Sequence, residues 1–260
     1  MKVGKAIYNI LSQSTDVQSN FPFNTTDYSP TGTELVTNGD FSGGTFSPWV
    51  NNPNWSLGGV GAIADGSSGA ALFQSSVVED GKTYKVTYTL SDFTQGTLHV
   101  NLSGTSGAIR TTAETYTEYI VSGTSPTGRI DFTGTGDFKV TLSNVSVEEM
   151  VLTKIFPELA PPDIDAPYVV YSVVSNSPSE TKNTNGDIDT ANIEVYGFQD
   201  TYNKAVDLGV SVRAALDRKT GTYNTIEIQS TNYVNEQMDV NEARKLWAAI
   251  QDYSIRIKNI

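Results

Sequence analysis

The 260-residue chain has no cysteine and a single histidine. Without cysteine it can build no disulfide framework, no thiolate nucleophile and no cysteine-ligated zinc or iron–sulfur centre. With His99 alone, a multi-histidine metal site is excluded, and a Ser-His-Asp triad would have to use that one residue. Positive charge is scarce: 17 Lys and Arg stand against 29 Asp and Glu, a net charge of −12 with a pI near 4.4. Such a chain repels phosphate backbones, which disfavours nucleic-acid binding by bulk electrostatics. No segment approaches the run of about 18 apolar residues that a membrane-spanning helix needs. The opening MKVGKAIYNIL lacks the apolar stretch and small-residue cleavage site of a secretory signal, so a soluble cytoplasmic product without a membrane partner is expected. Aromatic residues are not scarce: three Trp, 13 Tyr and 10 Phe suffice for a true core and exclude a disordered acidic chain.

Composition divides the chain. Val3, Ala6, Ile7, Ile10 and Leu11 fall on one helical face and predict a helix over 1–14. Residues 15–33 are rich in Ser, Thr, Asn and Pro and read as a linker. Residues 34–150 are crowded with Gly, Ser and Thr and hold short alternating runs. In one of them Tyr84, Val86, Tyr88 and Leu90 share a face. Regular short strands with turn residues between them indicate an all-β sandwich. Beyond 150 the pattern mixes strands (166–174, 191–198, 225–229, 253–258) with an amphipathic helix. Ala205, Leu208, Gly209, Val212, Ala215 and Leu216 line its apolar stripe, Asp200 or Thr201 caps it, and Gly221 is placed to end it. Residues 241–249 fit either a short helix or an extended segment. Residues 34–148 carry 5 basic and 11 acidic groups and the remainder 12 and 18, so each part has a net charge of −6. The acidity belongs to both parts.

The first helix cannot bury its apolar face alone. The economical arrangement is one discontinuous domain, 1–14 plus 151–260, with a β-sandwich inserted through a surface loop. The fold class expected is an α+β domain, a mixed sheet with two helices, interrupted by an all-β jelly-roll sandwich.

No constellation of residues points to catalysis. Asp65, Asp92, Asp131 and Asp137 sit singly in turns or on alternating strand faces, as solvated residues do. His99 faces away from Leu98, Val100 and Leu102, and no nucleophile elbow or phosphate loop is present. A carbohydrate site is conceivable in SPWVNNPNW, where Trp49, Asn51, Asn54 and Trp55 offer aromatic faces beside amides, the complement of a sugar ring with an apolar face and polar edges. The competing reading places these tryptophans in the sandwich core, as their large apolar area favours, more so for Trp55 than for Trp49, which follows a proline.

Four stretches carry a family resemblance: GKAIYNILSQSTDV, KIFPELAPPDIDAPYVVYSVVS, IEVYGFQDTYNKAVDLGVSVRAALD and the terminal DYSIRIK. Their order and character resemble the tail-completion family of long-tailed bacteriophages, also called tail-to-head joining or tail-terminator proteins. This chain departs from the family in its long insert. From NGDF to LSNVSVEE, that insert resembles the carbohydrate-binding-module-like jelly rolls attached to phage structural proteins.

The resemblance implies a non-enzymatic virion protein, made in the host cytoplasm and placed at the head–tail joint. It implies a homo-oligomeric, hexameric ring between the tail tube protein and the head–tail connector, with an outward sandwich that contacts surface glycans. DNA would pass through such a ring without specific binding, past a lumen lined by acidic loop residues, for which Asp163, Asp165, Glu180, Asp187 and Asp189 are candidates. No cofactor is implied apart from a structural calcium where the first and last strands of the jelly roll meet. Asp40 matches a ligand position there, and Ser143-Asn144 stands where a carboxylate is expected, leaving Asn144 as the partner. The alternative is a glycan-binding adhesin or receptor-binding accessory protein whose α+β part only oligomerises it. An accessory module of an enzyme is weaker, because the chain holds no catalytic partner.

Overall fold

A computed structural model describes residues 2–51, 54–65, 71–179 and 188–258. The chain divides into two compact units, one discontinuous (Met1–Ser29 with Leu152–Ile260) and one continuous (Pro30–Val151). It begins with helix α1 (Lys2–Gln13), in which Val3, Ala6, Ile7, Ile10 and Leu11 are all buried, as their spacing predicts. Helix α2 (Thr15–Gln18) follows at once, capped by the Ser14 hydroxyl, which accepts from the Val17 N–H at 3.3 Å. Strand β1 (Tyr28–Pro30) comes next. Residues 15–29 are therefore not the expected linker. Val17, Phe21 and Tyr28 are buried, and Asp27 pairs with Lys154 at 3.1 Å, so this polar-looking stretch is fastened to the first unit.

The continuous unit is all β. Its strands are β2 (Val50–Asn51), β3 (Trp55–Gly58), β4 (Gly61–Asp65), β5 (Ala71–Gln74), β6 (Thr83–Leu102), β7 (Thr105–Ser106), β8 (Thr115–Val121) and β9 (Ile130–Leu152). The two longest organise it: β6 pairs with β7, β8 and β9, and β9 also pairs with β4 and β5, all antiparallel. Alternation predicts the core. Tyr84, Val86, Tyr88, Leu90, Leu98, Val100 and Leu102 of β6 point inward, against Phe132, Phe138, Val140 and Leu142 of β9. Register shifts near Gln95 let β6 bend, and there Phe138 seats itself where a Cβ on Gly96 or Gly134 would come within 2.6 or 2.0 Å of it.

The discontinuous unit is built on one six-stranded sheet. Its strands are β10 (Ile155–Pro157), β11 (Tyr168–Ser179), β12 (Ile188–Gln199), β13 (Gly221–Tyr223), β14 (Ile226–Asn241) and β15 (Leu246–Lys258), in the order β10-β11-β12-β15-β14-β13. Among the described strands of this sheet only the β10–β11 pair is parallel. Odd-numbered residues of β12 and β15, among them Ile193, Val195, Gly197, Gln251, Tyr253 and Ile255, are buried on the helix-bearing face. Helix α3 (Tyr202–Leu216) lies there, with Leu208 so near Gly197 that a Cβ on that glycine would be 3.0 Å from it. Thr201 caps α3 by accepting from the Lys204 N–H. Gly221 does not end the helix, which stops at Leu216; with φ +125° it opens β13 instead. Residues 242–245 form a turn, and extended structure resumes at Leu246.

These dimensions correct the expected fold class. Of the described residues 54% are strand and 13% helical, and no clear α+β domain with two helices stands out among them. Runs that read as separate strands of three to nine residues join into strands of 12 to 23 residues, because the pleat continues through polar residues that look like turns.

Buried phenols give the fold an alkaline limit. Burial, helped by the neighbouring Asp27 charge, raises the Tyr28 pKa from 10.0 to about 12, and burial does the same for Tyr84. A hydrogen bond to Glu194, followed by burial, takes Tyr196 to about 12. Each folded-state value lies above its unfolded one, so the associated stability is complete below about pH 10 and is lost as pH rises through about 12. Urea midpoints measured from pH 8 to 12 are expected to hold level to about pH 10 and then fall. A flat profile to pH 12 would contradict these burials.

Candidate functional site

On the sheet face opposite α3, even-numbered residues of β11 and β12 place Tyr168, Val170, Ser172, Tyr196 and Phe198 side by side, since Tyr168 pairs with Phe198 and Val170 with Tyr196. The rings are layered. Tyr168 stacks on Phe198 at 4.6 Å between centroids, and Phe198 lies within 9° of parallel to Tyr196 at 6.3 Å. The proline-rich connection from β10 to β11 folds over one side of them, bringing Glu158, Leu159, Ala160, Pro161 and Pro162 to the wall of a cleft of about 400 Å³. Arg244, in the turn between β14 and β15, closes another side. Its Nη1 donates to the Tyr168 hydroxyl at 3.2 Å, its Nη2 to the Ile164 carbonyl, and its guanidinium lies 5.5 Å from the Tyr168 ring centre. Burial raises the Tyr168 pKa and the Arg244 charge opposes that, so the phenol stays neutral while its oxygen accepts from Arg244. The Tyr196 hydroxyl donates to Glu194 at 2.6 Å. The cleft combines a buried tyrosine ring and two half-buried rings with one arginine, and its lining has no paired carboxylates, nucleophile or base in catalytic arrangement. It is suited to holding an apolar or planar group. The strand signal of PYVVY and VYGF was legible in the sequence. That their alternate residues meet under a folded-back proline loop was not, because it depends on pairing and on Arg244 some seventy residues away.

The sugar-binding candidates are placed differently from that expectation. Trp49 and Trp55 are only 3% and 2% exposed and belong to the sandwich core. Trp49 packs on Phe41 and Phe132, and its indole N–H donates to the carbonyls of Thr37 and Asn38. Trp55 packs on Phe138. Neither ring face is offered to solvent, because the two largest apolar side chains of the segment gain most by filling the sandwich. Asn51 is exposed but turns its amide to the Trp55 carbonyl at 3.2 Å, and Asn54 lies half-buried in the turn before β3.

The calcium candidates do come near one another. The Gly39 carbonyl accepts from the Val145 N–H at 2.9 Å, which sets Asp40 and Asn144 on either side of that bridge. A Cβ on Gly39 would lie 1.9 Å from the Val145 carbonyl oxygen, so the glycine of NGDF serves close backbone approach. The donor set fits calcium poorly. Asp40 is a single exposed carboxylate whose oxygen already accepts from the Ser42 N–H at 3.1 Å, a bond that lowers its pKa, and calcium takes six to eight oxygen ligands. Among the described residues no cluster of three or more His, Asp or Glu could hold a metal. A chelator is accordingly expected to leave the melting temperature unchanged; a drop of several degrees in EDTA, restored by calcium, would overturn this.

Of the acidic lumen candidates, Glu180 and Asp187 lie outside the described residues. Asp163 and Asp165 are exposed in the proline-rich loop before β11. Asp189 lies in β12 paired with Pro178, near the other end of β11, and accepts from the Asn176 amide at 3.3 Å. Ten residues of strand separate the two places, about 33 Å at some 3.3 Å per residue, so the three do not form one cluster. Nor is Asp131 a solvated turn residue: it is buried, held by Arg129 at 3.1 Å and the Thr133 hydroxyl at 2.9 Å. His99 is half-buried on the face away from Leu98 and Val100.

No curated protein matches the chain. Among solved structures, a chain of the virion of a native gene transfer agent particle superimposes with a TM-score of 0.34 at 11% identity, over 41% of this chain and 80% of that one. The N-terminal tandem CBM22 domains of Paenibacillus barcinonensis Xyn10C give 0.41 at 10% identity, over 89% and 86%. TmCBM61, solved with β-1,4-galactotriose, gives 0.29 at 20% identity, over 45% and 98%. With superpositions this loose, the identification rests on sequence. Residues 138–258 match the family model described as tail completion protein gp17, a span that takes in the end of β9, the whole six-stranded sheet, α3 and the aromatic cleft. Through these residues, just under half of the chain, it is similar to the phage tail completion protein family.

Proposed function

We propose that this chain is a structural protein of the virion that completes the tail by assembling as a ring between the tail tube and the head connector. The observation that carries this reading is the family match over residues 138–258, which coincides with the sheet, helix and cleft just described. The role needs no covalent chemistry. It needs surfaces, and the cleft offers a set of aromatic faces next to an arginine, the composition of an interface hot spot. The net charge of −12 suits a ring that passes DNA without gripping it, since repulsion keeps the duplex mobile. The inserted unit is a decorating module carried on the outside of the ring, where it leaves the conduit clear. With Trp49 and Trp55 in its core, no observation favours the adhesin reading. The test is to place an epitope tag in the exposed Ser42–Gly44 turn and image labelled particles by electron microscopy. Label at the head–tail joint is expected, as is the accumulation of unjoined heads and tails when the gene is deleted. Label at the tail tip, or none on particles, overturns the reading.

A further inference from the structure

Two stretches of the six-stranded sheet end in unpaired edges. On one side, β13 covers β14 only at Ile226–Ile228. The link after α3 continues the cover: Arg218 donates its N–H to the Thr231 carbonyl at 2.8 Å, and Asp217 accepts from the Tyr233 N–H at 3.1 Å. Beyond Tyr233 no described strand lies outside β14, although it runs on to Asn241. On the other side, β10 covers β11 only at Val169–Tyr171, and the Glu158 carboxylate takes the next outward N–H, that of Val173, at 3.3 Å. Beyond Val173 no described strand lies outside β11, which runs on to Ser179.

Both open stretches begin at a bulge, and each bulge carries an exposed valine. The register of β11 slips between Val173 and Ser175 and that of β14 between Tyr233 and Asn235, leaving Val174 and Val234 as the extra residues, 59% and 62% exposed. Val240, near the far end of the open part of β14, is exposed as well. Proteins usually guard such edges with charge, and here the two differ. The β14 stretch holds Glu236 and Asp239, while Val174–Ser179 has no charged residue and is blunted only by Pro178, which cannot donate an N–H and so forfeits one ladder bond to an added strand. Two β14 edges brought together would oppose four carboxylates, whereas β14 against β11 opposes none. Strand direction agrees. Between β11 and β14 every neighbouring pair is antiparallel, so the two edge strands run in opposite directions, and a copy related by rotation about an axis to which the strands are tilted, as in a barrel, presents its β11 roughly antiparallel to β14. The open stretches are also staggered. Asp239 of β14 shares a row of the sheet with Tyr168, whereas Ser175 of β11 shares one with Asn232. Stagger is what strands tilted about 35–45° in a closed barrel require.

We propose that Val234–Asn241 of one copy adds to Val174–Ser179 of the next, with Val240 facing Val174, so that the sheets continue from subunit to subunit around the ring. The partner is a second copy of this chain, and the contact is heterologous, the type that closes rings. The proposal rests on the ring reading above and adds which strands close it.

The natural absence of cysteine makes the test clean. Particles are prepared carrying Val174→Cys, Val240→Cys, or both, and treated with a mild oxidant or with a short bis-maleimide, which tolerates a one-pair shift of register. The double variant is expected to give a ladder of linked multimers on denaturing gels and each single variant none, while particles with mixed single variants stop at dimers. Dimers from either single variant, or no ladder from the double variant in particles whose images show the ring, overturn the edge pairing and leave the ring standing. Images without a ring overturn both.

Discussion

Trp49→Ala is expected to lower the stability of the continuous unit by about 3–5 kcal/mol, the range found when a buried large aromatic is truncated. The indole sits between Phe41 and Phe132, centroids 5.5 and 6.3 Å away, and its N–H serves two carbonyls at 3.1 Å each. One of those carbonyls, that of Thr37, also accepts from the Gln74 amide at 2.9 Å, while the Thr37 N–H donates back to Gln74. Trp49 and Gln74 thus hold the first segment of the unit against its sheet, and losing the ring opens a cavity under that segment. Trp49→Phe keeps most of the apolar area and gives up the hydrogen bonds, so it should cost only about 1–2 kcal/mol. Circular dichroism in urea is the measurement, followed as the transition of one unit because two compact units need not unfold together. Retained stability with loss of retention on a glycan array would show that Trp49 is a binding platform after all.

The reason Trp49 could be read either way from sequence shows where sequence stops. Periodicity reports which residues share a face of an element. It located α1, the stripe of α3 and the inward side of β6, because those faces are set by residues three, four or two apart. SPWVNNPNW has no period, so its tryptophans are decided by what lies across the sandwich, namely Phe132 and Phe138 some 83 positions later. Linker and turn readings failed for the same reason. The stretch 15–29 looks solvated until Lys154 arrives to pair with Asp27, and Asp131 looks like a turn residue until its neighbours on β9 close on it. Strand lengths were underestimated because Thr and Ser inside a twisted, bulged ladder resemble the ends of strands. The α+β expectation, where the structure is mostly β, follows from that underestimate. The aromatic cleft depends on a loop returning over β11 and on a turn between β14 and β15, so its components were visible while its existence was not.

Glu118 is a carboxylate buried in the sandwich, and Glu118→Ala is expected to cost about 3–5 kcal/mol, as removal of one partner from a buried charge network does. Alternation along TYTEYIV puts Glu118 on the same side as Tyr116 and Ile120, facing the core, where an isolated carboxylate would not survive. It is 9% exposed and fully engaged. The Tyr88 hydroxyl donates to it at 2.5 Å, the Ala108 N–H at 2.7 Å, and Arg110 reaches it at 3.1 Å. Arg110 in turn lies 4.3 Å over the Tyr116 ring. The carboxylate therefore fastens the connection between β7 and β8 onto the sheet. Alanine would leave a buried phenol and a backbone N–H without acceptors and an arginine without its counter-ion. Arg110 can turn to water, which places the cost toward the lower end of the range, but Tyr88 is buried among Phe132 and Tyr116 and cannot. Glu118→Gln keeps one acceptor of the same shape and should cost about half as much. A double-mutant cycle with Tyr88→Phe isolates the shared bond: a coupling of about 1.5–3 kcal/mol is expected for a hydrogen bond to a charged group. Near-zero coupling, or an alanine variant as stable as the parent, would mean that the carboxylate faces solvent and that the 107–114 connection is held by something else.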